Sequence, residues 1–188
     1  MRITGGKARG ILLKSPPGQL TRPASDAIRE SLFSSLANQM EGCRFVDLFA
    51  GTGSYGLEAF SRGATSGTFV ELSQAALNCI HENLDRVAKS AQTDSMNFKA
   101  VRGDALQFRP TDSVGVDFVF ADPPYSVIPD IADQLFQSAG ALLSASGFLV
   151  LEHPADFEFD PSGWRLIRRF GKRKGQGPAL DIWAKSKD

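Results

Sequence analysis

The chain reads as an α/β protein built on a mostly parallel sheet, and three observations carry that reading. Apolar runs of strand length alternate with helix-length segments from Phe45 to Leu151, as expected of parallel strands between helices. Gly51, Gly53 and Gly56 follow the first of those runs at GxGxxG spacing, which marks a tight turn from strand to helix. Two extended runs close the chain with no helix between them, so they must be antiparallel if they pair directly. With 188 residues, 42% of them hydrophobic, there is material for one core and one domain over residues 1–188.

Each element has its own signal. Residues 1–14 mix apolar and basic positions around glycines, and Gly5-Gly6 marks a turn between two short extended segments. Pro16-Pro17-Gly18 breaks the chain again. A helix is expected from about Ser25 to Met40, capped by Ser25 or Asp26, because Ile28, Leu32, Leu36 and Met40 recur every four residues. Phe45–Phe49 reads as a strand, Gly51–Gly56 as a loop, Tyr55–Arg62 as a helix and Thr68–Glu71 as the next strand. Ser73 caps a helix to about Lys89, with Ala76, Leu77, Ile80, Leu84 and Val87 inward. Strands at Phe98–Arg102 and Val116–Ala121, a helix over Ile128–Leu143 and a strand at Phe148–Leu151 follow. Trp164–Phe170 and Ala179–Trp183 form the closing pair, since the Gly171–Gly177 linker is too short for a crossover.

Composition narrows the function classes. No run of about 18 apolar residues is present, and the start Met1-Arg2-Ile3-Thr4 has no signal-like apolar segment. Two cysteines, Cys43 and Cys79, make no disulfide framework, which fits a reducing, cytoplasmic compartment. His81 and His153 are the only histidines, and Cys79 and His81 do not share a helix face, so no metal site is expected. The net charge is zero but uneven: +4 over residues 1–44, −10 over 45–164 and +6 over 165–188. Basic ends suit a polyanionic partner, and they equally suit an acidic body that binds its own tails.

Two segments carry chemistry. Asp47-Leu48-Phe49-Ala50-Gly51-Thr52-Gly53-Ser54-Tyr55-Gly56 lets a cofactor lie against bare backbone, and Glu71, twenty residues after Gly51, is placed for the two hydroxyls of an adenosine ribose. That set fits NAD and S-adenosylmethionine almost equally. Asp47 favours the second, because a carboxylate there suits an amino group and opposes a pyrophosphate. Asp104 ends the third strand and either accepts the adenine amine or simply makes a turn. Asp122-Pro123-Pro124-Tyr125 ends the fourth strand, where open α/β sheets bind ligands. Asp122 and the Pro123 carbonyl are acceptors for an exocyclic amine, and Tyr125 stacks on its ring; a proline-capped strand end accounts for the same residues without a ligand. Held in this way, a purine amine can attack an activated methyl. The purine must leave its stack to enter, so a nucleic acid backbone lies nearby, and Arg22, Arg29 and Lys172-Arg173-Lys174 are candidates to hold it. Tyr55, Trp164 and Trp183 read as packing residues.

At these residues the chain resembles the bacterial small-subunit rRNA guanine-N2 methyltransferase family of the RsmD type. Arg2-Ile3-Thr4-Gly5-Gly6-Lys7-Ala8-Arg9-Gly10 is similar to the family's basic N-terminal hairpin, with Thr4 a departure in a more apolar stretch. Leu20-Thr21-Arg22-Pro23 with Asp26, Arg29-Glu30 and Leu32-Phe33 resembles its second signature, and Asp47–Gly53 and Asp122–Tyr125 its cofactor and catalytic motifs. The resemblance implies a Rossmann-like class I S-adenosylmethionine-dependent methyltransferase fold, with seven mostly parallel strands, an antiparallel last strand and an N-terminal hairpin extension over residues 1–22. It implies S-adenosylmethionine as donor, and as acceptor N2 of one guanine, guanine 966 of 16S rRNA, in assembling 30S particles. A cytoplasmic monomer without metal is expected. The implied roles are catalytic for Asp122, Pro123, Pro124 and Tyr125, and cofactor-binding for Asp47, Phe49, Ala50, Gly51, Thr52, Gly53, Glu71, Leu72, Asp104 and Ala105. RNA contact falls to Arg2, Lys7, Arg9, Arg22, Arg29, Lys172, Arg173 and Lys174. Three alternatives stay open: an adenine-N6 methyltransferase on DNA or RNA, an NAD-dependent oxidoreductase, and a non-catalytic RNA-binding module.

Overall fold

A computed structural model describes residues 1–16, 23–110, 115–172, 175 and 177–186. Its strands are β1 (Arg44–Leu48), β2 (Ser66–Glu71), β3 (Phe98–Arg102), β4 (Val116–Ala121), β5 (Leu143–Pro154), β6 (Trp164–Gly171) and β7 (Pro178–Lys185). These seven make one sheet in the order β3-β2-β1-β4-β5-β7-β6. The first five are parallel to their neighbours, and β7 is inserted antiparallel between β5 and β6. The fold class is therefore the one expected, including the antiparallel closing pair.

Helices α1 (Pro23–Ser35), α2 (Ala37–Met40), α3 (Ser54–Ser61), α4 (Gln74–Ala91) and α5 (Ile128–Leu142) cover the sheet. Alternation along each strand divides the core. Phe45, Phe69, Phe118 and Phe120 face one layer with Phe33 of α1, Leu57 of α3 and Ile80 of α4. Val46, Leu48, Val119 and Leu149 face the other with Leu135, Phe136 and Ala139 of α5. Each buried large side chain contributes about 1.5–3 kcal/mol through removal from water. Trp164 and Trp183 pack edge-on to Phe136, both at 5.3 Å, as expected of packing residues.

Several boundaries differ from the sequence reading: α1 begins at Pro23, so Ser25 and Asp26 fall inside its first turn and not at the cap position, and two further differences are larger. The helix expected over 25–40 breaks at Leu36, where the Gln39 N–H closes a tighter turn on the Leu36 carbonyl at 2.8 Å. Strand β5 is far longer than Phe148–Leu151: it starts at Leu143, which pairs with Val116 of β4, and β7 pairs with it through Glu152, His153 and Pro154. That extension buries a charged cluster. Arg169 donates two bonds of 2.7 Å to Asp181, and His153 Nε2 lies 3.1 Å from the same carboxylate. Burial alone raises the pKa of Asp181, but the bonds from Arg169 and His153 outweigh it and hold the pKa below the usual carboxylate value.

The N-terminal segment is fastened rather than loose. Residues 1–13 form a small antiparallel loop with one bridge, Arg2 to Leu12. Its turn docks on the C-terminal end of α3, where Lys7 N–H donates to the Ser61 carbonyl at 2.7 Å and Ser61 Oγ donates to the Gly5 carbonyl at 2.7 Å. The fully buried Glu58 takes the Thr4 N–H at 2.8 Å, the Thr4 hydroxyl at 2.7 Å and Arg62 Nε at 2.8 Å. Thr4 is thus polar in an apolar stretch because it meets a buried carboxylate. Asn83 of α4 holds the other end: it accepts from Lys14 N at 2.7 Å and donates to the carbonyls of Lys14 and Thr52. Substitution Glu58→Ala leaves Thr4 without this acceptor and the buried Arg29, whose Nε lies 3.7 Å from Glu58, without that ion-pair partner, and a loss of about 3–5 kcal/mol is expected. Urea unfolding followed by circular dichroism measures it; a loss under about 1 kcal/mol would mean backbone bonds alone fasten the segment.

Candidate active site

Parallel strands aim their carboxyl ends the same way, so the residues that end β1 to β4, and Glu152 near the end of β5, share one rim. A cavity of about 600 Å³ opens there, lined by the loop after β1, the ends of β2 to β5, and Met1 and Ser15 of the N-terminal segment. Five of its lining residues are acidic: Asp47, Glu71, Asp104, Asp122 and Glu152. Among the described residues that line it, none is Lys, Arg or His.

The glycine loop shapes one wall. Phe49, Gly51 and Gly53 all have positive φ, at 56°, 56° and 77°. For Phe49 that conformation costs about 1–2 kcal/mol, so surrounding contacts impose it. Asp47 lies on the α3 side of β1 and accepts the Gly56 N–H at 2.9 Å. Gly56 has no room for a side chain, since a Cβ would come within 2.4 Å of Phe69 and 2.5 Å of Phe45. Glu71 accepts the N–H groups of Gly51 and Ser73, each at 2.8 Å, which ties the end of β2 to the loop. Asp104 accepts the Leu106 N–H at 2.9 Å, so it makes a turn and lines the cavity as well.

The opposite wall is Asp122, Pro123, Pro124 and Tyr125, at the end of β4. Tyr125 begins a 3₁₀ turn, Tyr125–Val127, in which the Val127 N–H reaches the Pro124 carbonyl at 3.1 Å. Glu152 stands beside it. The Tyr55 hydroxyl donates to Glu152 at 2.5 Å and the Tyr125 hydroxyl at 3.0 Å. Tyr55 therefore serves the cavity as well as the core. Burial, then the charges of Glu152 and Asp122, push its phenol well above the ordinary value.

The structure brings together Asp47, Phe49, Ala50, Gly51, Thr52, Glu71, Leu72, Asp104, Ala105 and all four residues from Asp122 to Tyr125 around this cavity. Gly53 stands behind it, packed toward Leu57 and Phe69, and its part is to turn the chain into α3. Glu152 and Tyr55 were not read from the sequence as site residues. The signal for Glu152 was present: an acidic residue after an apolar strand, as at Glu71 and Asp122.

Of the basic residues, Arg2, Lys7, Arg9 and Lys172 are exposed. Arg22, Arg173 and Lys174 lie outside the described residues. Arg29 is a correction. Its side chain is 1% exposed and donates to the Arg2 carbonyl at 2.5 Å and to Asp26 at 2.9 Å, so it holds the N-terminal segment and does not face a phosphate.

Comparison with known proteins places the chain in context. The family described as Conserved hypothetical protein 95 matches residues 1–177. The Bacillus subtilis protein "Putative rRNA methyltransferase YlbH" is 32% identical over 167 residues, covering 89% of this chain and 90% of its own. Ribosomal RNA small subunit methyltransferase D of Haemophilus influenzae is 35% identical over 172 residues, covering 89% of this chain and 86% of its own. The solved structure "Putative methyltransferase yhhF from Escherichia coli" superposes with a TM-score of 0.81 at 28% identity, over 100% of this chain and 99% of its own.

The buried Asp47 gives the rim a pH dependence. Burial pushes its carboxyl up to about 8, only partly opposed by the Gly56 N–H, and the Glu71 charge adds to the rise. The folded protein therefore keeps a proton that the unfolded chain has lost above about pH 4. Stability without ligand should fall as pH rises between about 4 and 8. Thermal melts across this window are expected to slope downward in the wild type and to be flatter in Asp47→Asn; parallel slopes would assign the titration elsewhere.

Proposed function

This chain belongs to the Conserved hypothetical protein 95 family, of the RsmD type, and we propose that it transfers a methyl group from S-adenosylmethionine to the exocyclic N2 amine of one guanine in small-subunit rRNA. By family resemblance that base is guanine 966 of 16S rRNA, in the assembling 30S particle. The observation that carries the reading is the cavity itself: among the described residues its lining has five acidic side chains and no Lys, Arg or His, set between a glycine loop and an Asp-Pro-Pro-Tyr turn.

This lining suits S-adenosylmethionine, which carries a sulfonium and an ammonium, and opposes the pyrophosphate of NAD. The Gly56 N–H, at the start of α3, is already bonded to Asp47 and is not left for a phosphate. Gly51 has open space where a side chain would stand, so a ligand can approach the loop backbone. Asp47 faces the ammonium in this reading, and Glu71 takes the ribose hydroxyls through lone pairs that its two backbone bonds leave over. Asp104 and Ala105 border the adenine. When bound, the donor supplies a methyl on a positively charged sulfur, whose bonding pair stays with sulfur as the N–CH3 bond forms.

The chain's own residues then orient the acceptor. Asp122 and the Pro123 carbonyl accept the two N2 hydrogens and hold the nitrogen lone pair toward the methyl. One of those protons is acidic once nitrogen carries the methyl, and it leaves to Asp122 or to water. Tyr125 sets the plane of the base by stacking. An acidic cavity repels phosphate, so only the base enters and the RNA backbone stays outside. The exposed Arg2, Lys7, Arg9 and Lys172, with Arg22, Arg173 and Lys174 from the basic ends, meet that backbone.

Incubation of the protein with labelled donor and small subunits from cells lacking it, followed by nucleoside analysis, tests the reading. N2-methylguanosine is expected; N6-methyladenosine would assign the adenine chemistry instead, and NAD binding without S-adenosylmethionine binding in calorimetry would exclude both methyl transfers. Substitution Asp122→Ala is expected to lower turnover by about 10³-fold or more with donor affinity largely kept. The double substitution Lys7→Glu, Arg9→Glu is expected to weaken rRNA binding and to reduce its salt dependence by about one unit of slope per lost phosphate contact; an unchanged slope would remove these residues from the interface.

A further inference from the structure

Glu152 has a part that the donor does not explain. It is 5% exposed, lines the cavity, and is held by two tyrosine hydroxyls. Among the described residues no Lys, Arg or His pairs with it. A buried carboxylate without a cation is costly unless further donors reach it. Each of its oxygens still has a lone-pair site after accepting one hydroxyl. Its position is fixed by the sheet: Ala121 of β4 is registered with Leu151 of β5. Asp122 thus follows the end of β4 just as Glu152 follows Leu151 on β5, and the spacing of the two strands is roughly 4.8 Å.

We propose that Glu152 is the specificity-determining residue of this site, accepting the N1–H of a guanine whose N2 amine is held by Asp122 and the Pro123 carbonyl. The inference rests on the functional reading above. The Asp-Pro-Pro-Tyr turn grips an exocyclic amine and does not by itself tell guanine from adenine. The next ring position does. Guanine presents N1–H, a donor, beside its amine; adenine presents a bare N1 lone pair beside its own. A carboxylate beside the amine clamp bonds the first and repels the second, and a site built for a donor rejects the base that lacks it. The Tyr55 and Tyr125 hydroxyls keep the carboxylate from turning away, and Tyr125 is at the same time the ring on which the base stacks.

The test uses the full-length protein, S-adenosylmethionine and small subunits from cells lacking it, with N2-methylguanosine as readout. Substitution Glu152→Gln, nearly isosteric and still able to accept from a tyrosine hydroxyl, is expected to lower kcat roughly 10- to 100-fold, while calorimetric affinity for S-adenosylmethionine is unchanged. Tyr125→Phe keeps the ring and removes only the tie, and its loss is expected to be several-fold smaller. Turnover of Glu152→Gln within about twofold of wild type overturns the assignment. So do equal losses from the two variants, because Glu152 would then act only by holding Tyr125. If the Gln variant fails to bind donor, Glu152→Asp replaces it, with a loss of at least about fivefold expected and wild-type turnover overturning the assignment. The two levels fail separately. Wild-type protein that forms no N2-methylguanosine sinks the functional reading and this inference with it; wild-type formation of N2-methylguanosine with an indifferent Glu152 sinks only the inference.

Discussion

Five adjacent strands run in one direction, and nearly everything about the site depends on that constraint. A parallel sheet gathers its carboxyl ends on one edge, so acidic residues far apart in the chain, from Asp47 to Glu152, face the same space. Five acids around one cavity would repel one another if all were ionised, and Asp47 lessens this by keeping its proton up to about pH 8. Three of them accept backbone N–H groups: Asp47 from Gly56, Glu71 from Gly51 and Ser73, and Asp104 from Leu106. Glu152 is relieved by two phenols. The field that remains favours a cation, and this is the physical link between the fold and its donor.

The N-terminal segment belongs to the same arrangement. Met1 and Ser15 line the cavity, and the segment between them is fixed through Glu58, Ser61 and Asn83. Residues 1–16 therefore couple the basic surface at Arg2, Lys7 and Arg9 to the cavity wall. The charge asymmetry along the chain acquires a spatial meaning. Acidic groups concentrate in the cavity proposed for a cationic donor, and exposed basic groups stand on the segment that borders it.

Much of the site was legible because its signals are local. Three glycines at fixed spacing, an acidic residue ending an apolar run and a double proline each constrain the backbone over a few residues. The parts that were missed depend on non-local pairing. Strand β5 was read as Phe148–Leu151, yet β7 carries the ladder on through Glu152, His153 and Pro154. That pairing buries His153 against Asp181 and sets Glu152 beside Tyr55 and Tyr125. Arg29 looked like a phosphate ligand because arginine is ordinarily exposed; only packing of α1 against the N-terminal segment shows that its guanidinium is enclosed.

The order of strands and helices, the antiparallel closing pair and the two motif-bearing loops were written in residue type and period, because backbone preference and side-chain alternation act between near neighbours. Which carboxylates share one cavity, which arginine is buried and where a tyrosine hydroxyl finds its acceptor were settled by the packed sheet. Register, strand insertion and burial join residues tens of positions apart, and no local pattern encodes the distance between them.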